Sequence, residues 1–396
     1  MVGAMTKPEV EVRTLPYPYR GAVAISNDAE FMSFEFFEAF YSFLNSNRKT
    51  VFGIGLGLQV TSSVFFYSDK PYNLSYFNGI EVNAPKNGYA QRLCEYLKTG
   101  WIDTNHAYGD FDGVGGFQRA HAIRVLDEIN AKQIQIPCFT NHGDTLNIQN
   151  IGIDALYHQG DIPDSRAYHA DLLHQLGTRY VWTDSAVFAR RTRRFLFLRI
   201  SYLHLKPVIV KQQLQDGQEF LVFNRFRSTG ANAPNLSSLG YQIEQVNLDE
   251  LYQRRGIIVL YQHLGVLGRN GGRCFPATIE AVCSRPEVFL APWHRLAREV
   301  HEGRLWLPAL HVLLQYCEML LCTRLFRRED NTIEVVTERV PPEPEEYFQG
   351  LTFYIDARDN VSLIYCGRQV PIVYNGPDET GRYSVTVPLR KKEDIW

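Results

Sequence analysis

Short apolar runs that each end in a polar cluster recur between residues 21 and 263, with helical stretches between most of them. The first three are Gly21–Ser26 into Asn27-Asp28-Ala29-Glu30, Val51–Leu58 into Gln59, and Trp101-Ile102-Asp103 into Thr104-Asn105-His106. Ile134–Thr140 then leads into Asn141-His142-Gly143, and Arg179–Thr183 into Asp184. Phe220–Phe226 leads into Arg227, and Gly256–Leu260 into Gln262-His263. The intervening stretches carry helical patterns over Phe31–Phe43, Gln118–Ala131 and Tyr168–Leu176. Strands that alternate with helices form parallel βα units, because a parallel pair needs a long crossover. Seven units with reactive residues at the carboxyl ends of their strands predict a (β/α) barrel with its site on that face. A doubly wound open sheet is the alternative, although no glycine-rich phosphate fingerprint follows the first strand.

The texture changes after a helical region over Arg295–Leu321. Arg324–Glu346 is dense in charge and holds Pro341-Pro342-Glu343-Pro344, which reads as a linker. Leu351–Leu389 alternates strand and turn and predicts a small antiparallel β module. The expected division is a barrel over 1–321, then a linker and β module over 322–396.

Composition narrows the class. Lys+Arg at 41 against Asp+Glu at 43 leaves a formal charge of −2, without the basic excess of a protein dedicated to nucleic acid. Seven cysteines, with no Cys-x-x-Cys pair, read as reduced thiols rather than a zinc ribbon or a disulfide framework. Residues 1–12 lack the apolar core of a signal peptide, and Leu307–Cys322 is too short and too polar to span a bilayer. The expectation is a cytoplasmic protein with no integral membrane segment.

Asp28 and Glu30 stand two apart at the end of the first strand, so in extended chain both carboxylates reach the same side. One can act as a base and the other as a metal ligand. His106 and Asp110, four apart, can converge on one ion if the chain enters a helical turn. Asn141 and His142, Trp182 and Asp184, and His263 end three further strands, and a barrel gathers all these ends together.

The order of these motifs resembles the polysaccharide deacetylase (NodB-homology) family, a distorted seven-stranded (β/α) barrel, over roughly residues 15–315. Ala22-Val23-Ala24-Ile25-Ser26-Asn27-Asp28 is similar to its first strand, with Ala29 where a second aspartate stands and Glu30 as the displaced acid. His106-Ala107-Tyr108-Gly109-Asp110 has the spacing of the family's histidine pair, with Asp110 in the second position. Phe139-Thr140-Asn141-His142-Gly143 occupies the place of the third motif without its arginine or proline. Trp182-Thr183-Asp184 resembles the fourth motif, and Tyr261-Gln262-His263 the last.

The resemblance implies a metal-dependent hydrolase that removes an acetyl group from an N-acetylated sugar or glycan precursor. Glu30, His106 and Asp110 would hold one divalent ion, zinc first, with manganese, cobalt or iron as alternatives. Asp28 would be the base and His263 the general acid, with Asn141, His142, Trp182 and Asp184 lining the substrate. Two other classes compete: a glycoside hydrolase on a related barrel using Asp28 and Asp184, and a non-catalytic glycan-binding or assembly protein. Arg190, Arg191, Arg193, Arg194 and Arg199 crowd together without an acid, a candidate contact for a phosphate-bearing or acidic carbohydrate.

Overall fold

The computed structural model describes residues 9–111, 116–143, 146–152, 157–183, 186–188, 207–227, 234–270, 273–341 and 343–390. Asp184 and the five arginines between 190 and 199 lie outside them.

Two largely parallel sheets carry the α/β body. In the larger, the order is Ile209–Gln213, Glu219–Phe223, Tyr180–Trp182, Cys138–Thr140, Ile102–His106, Ser62–Ser68 and Ser75–Asn78, with only the first pair antiparallel. In the smaller, Ala186–Phe188, Arg225–Arg227, Ile257–Gln262, Gly21–Asn27 and Leu305–Trp306 are all parallel. Asn224 alone separates Glu219–Phe223 from Arg225–Arg227, so one run of chain passes from the larger sheet into the smaller. At the other junction, among the described residues, no backbone ladder joins Gly21–Asn27 to Ser62–Ser68. The Asn27 amide spans that gap by donating to Ser62 Oγ at 2.9 Å. The α/β class with parallel strands is as expected; among the described residues, the order is not closed by a backbone ladder at this seam.

The strands show why their runs are apolar throughout. Ala22, Ala24, Cys138, Tyr180, Trp182, Phe223 and Val259 join one core, and Val23, Ile25, Phe139, Val181, Val222, Ile258 and Leu260 join the other. Alternate residues point to opposite faces, and both faces are covered, so no polar alternation survives. The second core includes helices Phe34–Asn45 and Arg119–Asn130, which the helical patterns anticipate.

The second strand is displaced from its expected place. The run Val51–Leu58 contains Gly53, Gly55 and Gly57, and it forms a short hairpin, Lys49–Thr50 with Gly53–Ile54. Gly53 (φ 119°) and Gly57 (φ 63°) adopt backbone that a side chain disfavours. The strand itself is the aromatic run Ser62–Ser68.

The carboxyl-terminal region also differs from expectation. The stretch read as a linker forms the hairpin Thr323–Arg327 with Thr332–Thr337, and Thr332–Thr337 runs parallel to Ser362–Tyr365. A second four-stranded sheet includes Val12–Arg13 from the start of the chain, paired with Thr352–Ile355. Leu325, Val335, Phe353 and Val385 share one core with helix Leu310–Cys322 and with Ala22, Ala24 and Tyr180. The ladders within Leu351–Leu389 are antiparallel as expected, while the added hairpin joins them through a parallel pair, and the core of this region is continuous with the α/β body. Among the described residues, none of its strands pairs with the parallel sheets. Among the described residues, no helix is long and apolar enough to cross a membrane.

Candidate metal centre

Parallel strands bring their carboxyl ends to one edge, and the polar clusters after the apolar runs collect there. Asp28 follows Gly21–Asn27, and its N–H donates to Gln262 O at 2.9 Å, which continues the pairing with Ile257–Gln262. Asn27 fixes the next step, since its Oδ1 accepts from Leu264 N at 2.6 Å. His263 is thereby carried beside Asp28. Gly265 passes so close that a Cβ would lie 2.5 Å from Glu30 O, so only glycine fits without displacement.

Glu30 is the hub. Its Oε1 lies 3.3 Å from His106 Nε2 and 3.4 Å from His142 Nε2, and its Oε2 lies 3.6 Å from His263 Nε2. Burial works to raise its pKa, but the charges of His263 and His106, with hydrogen bonds from His106 and His142, outweigh it. The carboxyl is held well below its ordinary range. Phe31 (φ 56°) turns the chain immediately afterwards, and its N–H donates to Asn73 Oδ1 at 3.0 Å.

His106 and His142 are oriented from behind. His106 Nδ1 is hydrogen-bonded to Thr140 Oγ1 at 2.8 Å, which leaves Nε2 facing Glu30. Its ring stacks on Phe65 at 4.8 Å, while His142 meets Phe65 edge-on at 4.9 Å. Asn147 and Asn150 both donate to the His142 carbonyl, and Asn150 Oδ1 accepts the His142 N–H. Glu30, His106 and His142 offer ligand atoms within 4.8 Å of one another. Bonds of about 2.0–2.1 Å in a tetrahedron separate ligand atoms by about 3.3 Å, which the Glu30 distances to both histidines match. Two imidazoles and a carboxylate at these distances could hold a metal ion.

Asp110, the expected third ligand, stands outside that trio, and His142 takes its place. The chain after His106 does not enter a helical turn. Ala107 (φ 48°) and Tyr108 (φ 57°) reverse it, and Asp110 N bonds to Tyr67 O at 2.9 Å. Asp110 Oδ2 is engaged by Lys70 Nζ and Asn73 Nδ2, both at 2.7 Å, and Oδ1 lies 3.9 Å from His142 Nε2. It approaches the same Nε2 edge of His142 that faces Glu30, with its other oxygen held by Lys70 and Asn73.

Asp28 is buried and approached from two sides. Its Oδ2 lies 3.8 Å from His106 Nε2, and Arg225 Nη1 donates to Oδ1 at 2.6 Å. Arg225 is fully buried between two rings, with Cζ 3.4 Å from the Trp182 centroid and 3.9 Å from Tyr261. Trp182, expected to contact substrate, therefore packs under this guanidinium. Asn141 likewise holds its own loop: it donates to Ile151 O at 2.9 Å and accepts from Ile151 N at 3.0 Å. Arg225 and His142 are the residues whose roles the sequence reading missed. A lone arginine within the apolar run Phe220–Phe226 was the available signal, because a charge there needs a buried partner.

His263 completes the cluster. Its Nδ1 donates to Pro234 O at 2.9 Å, since a carbonyl can only accept. Nε2 faces inward, 3.3 Å from Tyr261 Oη. Asp28, Glu30 and His263 also offer ligand atoms within 4.8 Å of one another, so the two ends of the α/β body meet as expected. No protein-family model, no curated protein and no solved structure matches the chain.

Proposed function

We propose that this protein is a metal-dependent hydrolase that removes an acetyl group from an N-acetylated sugar or glycan precursor. The observation that carries the reading is the convergence of Glu30, His106 and His142, with Asp28 Oδ2 3.8 Å from His106 Nε2 and His263 Nε2 3.6 Å from the second oxygen of Glu30. In this reading the two sheets form a distorted seven-stave barrel, open between Gly21–Asn27 and Ser62–Ser68, with Arg225 inside it. The seven free thiols suit a reducing compartment and support a cytoplasmic location.

Glu30, His106 and His142 would hold one divalent ion, zinc first by the chemistry of two imidazoles and a carboxylate. A divalent ion there supplies Lewis acidity toward an amide carbonyl and toward water. Arg225 fixes Oδ1 of Asp28 and leaves Oδ2 to take a proton from water as that water attacks the acetyl carbon. The Pro234 carbonyl fixes the His263 ring, so a protonated Nε2 points toward the departing nitrogen. Water adds, the C–N bond breaks, and acetate and a free amine leave. The buried indole–guanidinium–phenol stack of Trp182, Arg225 and Tyr261 keeps the base rigid while this occurs.

Acetate release from a panel of N-acetyl sugars and their phosphates, with zinc-loaded and chelator-treated protein, tests the reading. Release that requires metal and falls about 10²–10⁴-fold in His263→Ala supports it. A zinc-loaded protein that is inert on the whole panel yet retains N-acetyl glycan would instead establish a non-catalytic binder.

A further inference from the structure

Glu30 presents its two oxygens to two different donor sets. Oε1 faces His106 and His142, while Oε2 faces His263; Asp28 groups with His263, and its Oδ2 also lies 3.8 Å from His106 Nε2. Oε2 is buried and has no hydrogen-bond partner, an expensive state for a carboxylate oxygen unless something else pairs with it. His263 Nε2 points at it with the tautomer already set by Pro234, the arrangement that orients a metal-binding imidazole. Asp28 keeps Oδ2 available because Arg225 binds Oδ1.

We propose that Asp28, Glu30 Oε2 and His263 form a second, weaker divalent-cation site, bridged to the first by the Glu30 carboxylate, and that filling it silences the enzyme. This inference rests on the hydrolase reading, since it captures the base and the acid named there. A carboxylate that binds through both oxygens sets two ions about 3.5–4 Å apart, a familiar spacing for paired metals. The order of filling follows from charge. The Arg225 guanidinium, 2.6 Å from Asp28, repels a cation at the second site, and the first offers two imidazoles against one. The second ion should therefore bind about tenfold more weakly than the first. With that ion bound, Asp28 cannot accept a proton from water, and His263 has no proton on Nε2 to give. Activity should rise as the first equivalent of zinc is added and fall as the second enters.

Equilibrium dialysis of the full chain against zinc, read by elemental analysis, tests this without reference to activity. Wild type should take up one ion tightly and a second weakly. His263→Gln and Asp28→Asn should each stop at one, and Glu30→Gln should lose both. Unfolding midpoints measured on the same samples show which variants are folded, and the wild-type stoichiometry stands without any of them. A wild-type protein that saturates at one ion at zinc about a hundredfold above the first dissociation constant overturns the proposal. So does a folded His263→Gln variant that still binds two. The two readings separate: two ions without acetate release would sink the hydrolase and the silencing but leave the second site, and metal-dependent release that never declines, with one ion bound, would sink only the second site.

Discussion

Removing Arg225 while leaving Asp28 in place should be among the most damaging single changes in the α/β body. The arginine is fully buried, donates to Asp28 at 2.6 Å, and fills the space between Trp182 and Tyr261. Arg225→Met keeps much of the packing and removes the charge, so Asp28 is left buried without its counter-ion. Breaking such a pair from one side costs about 3–5 kcal/mol, and the lost cation–π contacts add about 1–2 kcal/mol. Against a total stability of about 5–15 kcal/mol, that is a large part of the whole. Combining Arg225→Met with Asp28→Asn removes the stranded charge as well. The double variant should then be more stable than the sum of the two single losses implies, with a coupling of about 2–3 kcal/mol. Urea unfolding of the four proteins, compared at constant slope, measures that coupling directly. A single-variant loss below about 1 kcal/mol, or strictly additive losses, would refute the buried-pair reasoning.

Other outcomes follow from the same geometry. His142→Ala should weaken zinc binding more than about a hundredfold, and Asp110→Asn by only about tenfold, because His142 belongs to the proposed ligand set while Asp110 is already engaged by Lys70 and Asn73; competition against a chromogenic chelator ranks them, and the reverse ranking would restore Asp110 to the ligand set. Gly265→Ala should lower zinc affinity without touching any donor, since its Cβ would press on Glu30 O, and unchanged binding would remove that constraint. His169 is buried with Nε2 donating to Gln149 O, and burial lowers its pKa to about 4. The unfolded chain binds that proton more readily, so stability should be full above about pH 6.5 and fall by about 3 kcal/mol as pH drops toward 4. His169→Asn should flatten this part of the stability–pH curve, and an equally steep curve in that variant would assign the slope elsewhere. Arg13→Ala should cost about 2–4 kcal/mol, because three carbonyls, of Leu15, Pro16 and Tyr19, lose a buried donor; denaturation that leaves the terminal sheets unaffected would contradict this.

What the sequence disclosed was periodicity and position at strand ends. Apolar runs marked six of the seven principal parallel strands, and their polar termini located Asp28, Glu30, His106, His142 and His263, which the parallel order gathers. The second strand was missed because Val51–Leu58 is apolar but glycine-interrupted, whereas Ser62–Ser68 is flanked by serines that the tightly packed edge buries. Asp110 was misplaced because i, i+4 spacing carries meaning only in helix, and two residues at positive φ after His106 cannot be read from Ala and Tyr. The exchange of His142 for Asp110 depends on which strand lies beside which, here Ile102–His106 beside Cys138–Thr140, a tertiary fact. The charge density that suggested a linker at 324–346 belongs to exposed positions of a hairpin whose alternate residues, Leu325, Ile333 and Val335, are buried.

The most direct test of the metal centre is X-ray absorption at the zinc edge on protein loaded with one equivalent. Two imidazoles and oxygen ligands at about 2.0–2.1 Å are predicted, from His106, His142 and Glu30. A single imidazole with additional oxygens, sulfur at about 2.3 Å, or no retained zinc would contradict the account.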